Sequence, residues 1–277
     1  MSQWGRTTCL VAVVLSTTLP AAASPDRIRF LEGPGALSIM SPEQQAAPVE
    51  GYLPAADRAE IASAVQPPPA PGTPAARAET ELFNYLQASD GDRRWQMARD
   101  DDATVYLRFS GQIGFSPDRT KTPALVAVLN RIAEDTLAVA AEAKARHARL
   151  RPFEIQRLAR VCGHDTPPVP GSTAKGTGYP SGHASVAWGT ALVLVEVVPA
   201  SAQAIIGRAV AYGQSRVVCG LHYPADVEAG QFIGSAVLAK AFDSPAFRND
   251  LACARREIEA LAMGQGASDL PACKLSP

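Results

Sequence analysis

From Ala75 onward the apolar residues recur at helical spacing, and no alternating strand pattern of useful length interrupts them. Ala75 to about Arg99, Thr122 to about Leu150, His183 to Val198, Ser201 to Val218, Ala225 to Phe242 and Pro245 to Met263 all read as helices rich in Ala, Leu, Arg and Glu. Pro199 and Pro245 punctuate the later ones. The stretch HASVAWGTALVLVEVV, starting at His183, is apolar on nearly every face, which suits a helix surrounded by other helices. The expected fold is all-α, a helical bundle around that central apolar helix, and Trp188 on it is expected in the core. Residues 24–75 show no sustained period and include QPPPAPGTP, so they read as an irregular N-terminal arm ahead of an all-α domain over 76–277.

The N-terminus changes the picture. Arg6 precedes a short apolar run, Cys9 to Leu19, and three small residues, Ala21–Ala23, follow. This is the pattern of a secretory signal peptide, residues 1–23, cleaved near Ala23, and it points to the periplasm. The run is about half of the ~20 apolar residues that a spanning helix needs, so a membrane anchor is disfavoured. Residues 1–23 hold one basic and no acidic residue, which moves the formal charge from −1 to −2 on cleavage. A balance so close to neutral gives no reason to expect a nucleic acid polymer or an anionic membrane as partner. Homo-oligomerisation is left open.

Cleavage leaves four cysteines, Cys162, Cys219, Cys253 and Cys273. An even count in an exported chain favours disulfides, and three connectivities are open. The favoured one joins Cys162 to Cys219, linking two segments that carry candidate site residues, and Cys253 to Cys273, closing a short loop. Buried free thiols are the alternative. The spacing lacks the CxxC pairs of a zinc site.

Between Arg151 and His183 lies a Pro- and Gly-rich insert, CGHDTPPVPGSTAKGTGYPSG, of the kind that tends to be functional in a compact domain. Three pieces around it carry chemistry. Lys144 and Arg151 stand seven residues apart, two turns on one helix face, with Pro152 disfavouring helix at Arg151. Ser181, Gly182 and His183 fall at a helix start, where backbone N–H groups suit an anion. The third piece, SRVVCGLHYPAD, supplies Arg216, His222 and Asp226. Long cations, an N-terminal nest and a hydroxyl can surround a tetrahedral oxyanion. Two imidazoles add a nucleophile and an acid–base group, and a carboxylate can fix one ring's tautomer. Taken singly, each piece has a plainer explanation: a solvated helix face, a cap at Ser181, an ion pair at Arg216, a structural hydrogen bond or a pair of metal ligands at His222 and Asp226. His147 and His164 read as surface.

Written together, the pieces are K-x6-R-P, P-S-G-H and S-R-x5-H-x3-D, matched without gap or substitution. This resembles the signature of the type 2 phosphatidic acid phosphatase and vanadium haloperoxidase superfamily. FSGQIG, RLRPF, ALVLVEVVP and GQSRVVCGLHYPADVEAG extend the likeness to the class A bacterial nonspecific acid phosphatases over roughly residues 50–260. The resemblance implies an all-α phosphomonoesterase working through a phosphohistidine, with no metal or other cofactor, on small soluble phosphomonoesters. It implies that Lys144, Arg151 and Arg216 bind phosphate oxygens with Ser181 and Gly182. His183 would be the general acid, and His222 the nucleophile, oriented by Asp226. Ala184 and Pro224 depart from what the class often carries, and neither falls in that set.

Other readings explain less. A metal-dependent phosphoesterase does not account for three cations in one site, and a vanadium haloperoxidase is generally much longer. A noncatalytic phosphate-binding protein has no use for a nucleophile–carboxylate pair. GYPSG places its serine one position late for a nucleophile elbow, and GSTAKGTG lacks the GK[ST] of a P-loop.

Overall fold

A computed structural model describes residues 49–89, 91–101, 105–172, 176–265 and 273–276. The expected signal peptide, and the part of the arm before Val49, lie outside the described residues. The elements run α1 (Ala55–Ala64), α2 (Pro74–Ser89), α3 (Asp92–Asp100), a 3₁₀ turn (Val105–Phe109), α4 (Ser110–Ile113), α5 (Pro123–His147) and α6 (Pro152–Ile155). Then come α7 (Gly182–Val197), a second 3₁₀ turn (Pro199–Ser201), α8 (Ala202–Val218), α9 (Pro224–Ala241) and α10 (Pro245–Ala262). The fold is all-α; no strand occurs among the described residues, whose one β-bridge pairs Val161 with His164. None of the described helices is long and apolar enough to cross a membrane.

The helix starts follow from their caps. Pro123, Pro224 and Pro245 occupy the first helical position, where a missing N–H leaves no hydrogen bond unmade. Glu257 of α10 reaches across the bundle and accepts the N–H groups of Ala124 and Leu125, at 2.8 and 3.0 Å, at the start of α5. Ser181 Oγ caps α7 by accepting from Ala184 N, and Ser244 Oγ caps α10 by accepting from Phe247 N.

Helix α7 is the central helix the sequence leads one to expect. Gly182 to Ala187, Gly189 to Ala191, Val193, Leu194 and Val197 are all buried, packed against α5, α8 and α9. Trp188 is only half-buried and donates its indole N–H to Ser235 Oγ at 2.8 Å. The approach of α9 to α7 depends on two glycines. A Cβ at Gly230 would lie 2.7 Å from Ser181 O, and one at Gly234 would lie 2.7 Å from Ser185 O. Near contact of the two backbones brings the N-terminus of α7 beside that of α9, and Ser181 N donates to Asp226 O at 2.8 Å.

The arm is less irregular than its sequence implies. Ala55–Ala64 is helical, and Tyr52, Leu53, Ala62 and Val65 belong to the main core. The tie is tertiary: the buried Asp135 carboxylate of α5 accepts from Tyr52 N at 2.6 Å and Leu53 N at 3.2 Å, and pairs with Arg58 at 3.3 Å. Likewise, the single helix expected over 75–99 breaks at Gly91 into α2 and α3.

Candidate active site

The site begins where α5 ends. Ala148 adopts a left-handed conformation (φ 47°), its N–H donating to Lys144 O at 2.9 Å, and the chain reverses. Arg151 is extended (φ −77°, ψ 158°), as a residue before proline must tend to be. Lys144 and Arg151 therefore do not share a helix face, as their spacing suggests; the reversal brings them together. Both bind the segment 176–180. Lys144 Nζ, buried, donates to Thr177 O at 2.6 Å and to Pro180 O, and Arg151 Nε donates to Thr177 Oγ1 at 3.2 Å. Burial, reinforced by the Arg151 charge, pushes the Lys144 ammonium well below the usual lysine range. An arriving phosphate dianion would reverse that pressure.

His222 is buried beside these cations. Its Nδ1 lies 2.7 Å from the Gly178 carbonyl oxygen, and its Nε2 lies 3.2 Å from Arg151 Nη1. A carbonyl accepts only, so Nδ1 carries the proton; a guanidinium donates only, so Nε2 presents its lone pair. Burial, then the charges of Arg151 and Lys144, hold the imidazolium well below its ordinary 6.5. The result is a neutral imidazole with a nucleophilic nitrogen turned toward a cation.

His183 is the second residue of α7, buried, and close enough to His222 to add to the depression of its acidity range. Ser181 and Gly182 stand at the same helix end, whose dipole and N–H groups favour an anion. The serine hydroxyl here serves as the cap.

Asp226 approaches His222 less directly than the sequence implies. Its Oδ2 is 3.4 Å from Nδ1, while the closer partner of that nitrogen is Gly178 O. Oδ2 accepts from Tyr223 N at 2.7 Å, and Oδ1 accepts from Arg149 Nη1 at 2.7 Å. Burial pushes the Asp226 carboxyl up to about 7, against the pull of Arg149.

Arg216 is fully buried at the end of α8. Its Nη2 donates to Ala98 O at 2.9 Å and lies 3.4 Å from Cys219 Sγ. These contacts hold it against α3 and the Cys162–Cys219 disulfide. Cys253 pairs with Cys273, so both favoured pairings form.

Three residues with evident roles were not singled out from the sequence. Gly178 supplies the acceptor for His222, Arg149 binds Asp226, and Glu79 binds Arg149. In sequence Arg149 is one cation of a basic run and Glu79 one acid of a helix. His147 and His164 pack edge-on to Tyr179 and tilted against Phe153, respectively.

The sequence pattern of the PAP2 superfamily matches residues 124–249, which span α5 to the first turn of α10. The acid phosphatase of Zymomonas mobilis is 30% identical over 213 residues, 76% of this chain and 79% of its own length. The non-specific acid phosphatase of Salmonella typhimurium is 34% identical over 200 residues, 69% of this chain and 77% of its own. That of Providencia stuartii is 32% identical over 174 residues, covering 61% and 68%.

Proposed function

The chain belongs to the PAP2 superfamily and, within it, to the bacterial non-specific acid phosphatases, and from that premise we propose that it hydrolyses small soluble phosphomonoesters through a phosphohistidine on His222. It is a phosphomonoester hydrolase by family; the residue roles are our reading. The observation that carries them is the posture of His222, with Nδ1 held to Gly178 O at 2.7 Å and Nε2 at 3.2 Å from Arg151 Nη1.

In the first step the Nε2 lone pair attacks phosphorus and the bond to the leaving oxygen breaks. His183, in its protonated form, gives that oxygen a proton, since an alkoxide is a poor leaving group near neutral pH. In the second step neutral His183 takes a proton from water, the resulting hydroxide attacks phosphorus, and the P–N bond returns its electron pair to Nε2. Nδ1 keeps its proton throughout. Lys144, Arg151, Arg216 and the N–H groups near Ser181 and Gly182 neutralise the equatorial oxygens of the five-coordinate transition state. For Arg216 this requires the guanidinium to keep a donor for phosphate beyond its contacts with Ala98 and Cys219.

In this reading the cations supply the charge that a metal supplies elsewhere. Two disulfides agree with an oxidising compartment and so with export to the periplasm. Turnover of p-nitrophenyl phosphate tests the reading: it is expected to survive dialysis against EDTA and to be inhibited competitively by vanadate, which adopts a trigonal bipyramid. Loss on dialysis with recovery on adding divalent ions would overturn it in favour of metal-dependent hydrolysis.

A further inference from the structure

Resting on the nucleophile reading of His222, we propose that Arg149, assisted by Glu79, is a positioning residue for phosphoryl transfer that holds His222 through its side chain and its main chain together. The main-chain route runs from Gly178. Arg149 O accepts from Gly178 N at 2.7 Å, and Gly178 O is in turn the acceptor for His222 Nδ1 at 2.7 Å. The side-chain route runs through Asp226, whose Oδ1 is held by Arg149 Nη1 at 2.7 Å while Oδ2 faces His222 Nδ1 at 3.4 Å.

A plain structural ion pair needs one carboxylate. Here the guanidinium bridges two, each with a second task at the start of α9. Arg149 Nη2 pairs with Glu79 Oε2 at 2.5 Å, and Glu79 Oε1 accepts from Ala225 N at 3.0 Å. Asp226 Oδ2 accepts from Tyr223 N. The two acids thus satisfy the N–H groups of Tyr223 and Ala225 at the helix start that follows His222, and Arg149 binds both. Its plane is set by the Tyr223 ring, 4.4 Å away, which is backed by Phe83 at 5.2 Å. A forked, planar cation is pre-organised to hold two carboxylates over a ring; an ammonium on a flexible stem holds them with less geometric constraint.

The test compares steady-state kinetics of Arg149→Met, Arg149→Lys, Glu79→Gln, Asp226→Asn and the Arg149→Met/Asp226→Asn double variant. Misplacing a reacting group by an ångström can cost on the order of 10²-fold, so Arg149→Met is expected to lower kcat by about that factor. KM should stay within about threefold, because the residue acts on the nucleophile and not on bound substrate. Arg149→Lys should fall between. In the Asp226→Asn background, Arg149→Met should add little, since both act on one ring. Should Arg149→Met fail to fold, Glu79→Gln, which keeps size and shape, still decides: a fall in kcat at unchanged KM supports the proposal. A raised KM with kcat retained, losses that multiply in the double variant, or full activity in both Arg149→Lys and Glu79→Gln would overturn it. His222→Ala, measured alongside, separates the two layers. If that variant turns over, the nucleophile reading itself fails; if it is dead while the losses multiply, only the positioning role fails.

Discussion

The Gly178 carbonyl oxygen and His222 Nδ1 are 2.7 Å apart, and that one contact decides which imidazole nitrogen can act as a nucleophile. It also makes the glycine sensitive to substitution. A Cβ at Gly178 would fall 2.9 Å from both Arg149 O and Leu150 O, so a side chain there must push the 176–180 segment off the turn beneath it. Gly178→Ala is expected to lower kcat more than it raises KM, by about 10-fold or more, as the acceptor moves. Wild-type kinetics in this variant would remove the acceptor's role.

Burial and the Arg151 and Lys144 charges disfavour the imidazolium form of His222. The His222 ring therefore stays neutral on acidification until well below pH 6.5. The acidic limb of kcat/KM, corrected for substrate ionisation, is expected to lie below that pH. Removing one cation should let the ring protonate more readily, so NMR titration of His222 in Lys144→Met is expected to show its pKa raised. An unchanged or lowered value would contradict the electrostatic argument.

The same groups leave opposite marks on stability. The folded state binds fewer protons than the unfolded state at His222, so this group makes stability fall as pH drops below 6.5. At Asp226, raised from 3.8 to about 7, the folded state binds more protons, so this group makes stability fall as pH rises across that interval. The two oppose each other. Asp226→Asn should leave the histidine dependence exposed, and urea unfolding at several pH values should give a steeper rise of stability with pH than in the wild type. An equal or shallower slope would speak against the buried carboxyl being shifted upward.

How far the sequence led differs between fold and site. The long helices were legible because helical periodicity and Pro or Ser at their starts are local signals, and α7, α8, α9 and α10 begin and end within a residue or so of expectation. Helix α1 was not legible: the segment leading into it is tied down by Asp135, 83 residues away from Tyr52. Lys144, Arg151, His183 and His222 were singled out because their types and spacing match a known signature, and the fold brings Lys144, Arg151 and His183 close to His222. Gly178, Arg149 and Glu79 could not, because their roles come from a chain reversal at Ala148 and from the packing of α2 against α9.

Gly234 tests the packing that joins α7 to α9. A Cβ there would meet Ser185 O at 2.7 Å and Gly189 N at 2.8 Å, both backbone atoms that cannot swing aside. Overpacking of this kind typically costs about 1–3 kcal/mol, so Gly234→Ala should lower the thermal midpoint by several degrees. Activity should fall with it, since the same contact sets the two helix starts that carry His183 and Asp226. A variant as stable as the wild type would show that the helices can separate freely.

His183→Ala should lose most activity on alkyl phosphates and less on p-nitrophenyl phosphate, whose leaving oxygen needs no proton. Equal losses on both substrates would contradict its role as the acid.

Trapping the covalent intermediate tests the central claim most directly. Enzyme mixed with ³²P-labelled p-nitrophenyl phosphate and quenched in alkali should carry a base-stable, acid-labile label, and peptide mapping should place it on His222, with none in His222→Ala. Label on Ser181, or no label above that of the His222→Ala enzyme, would contradict the phosphohistidine account.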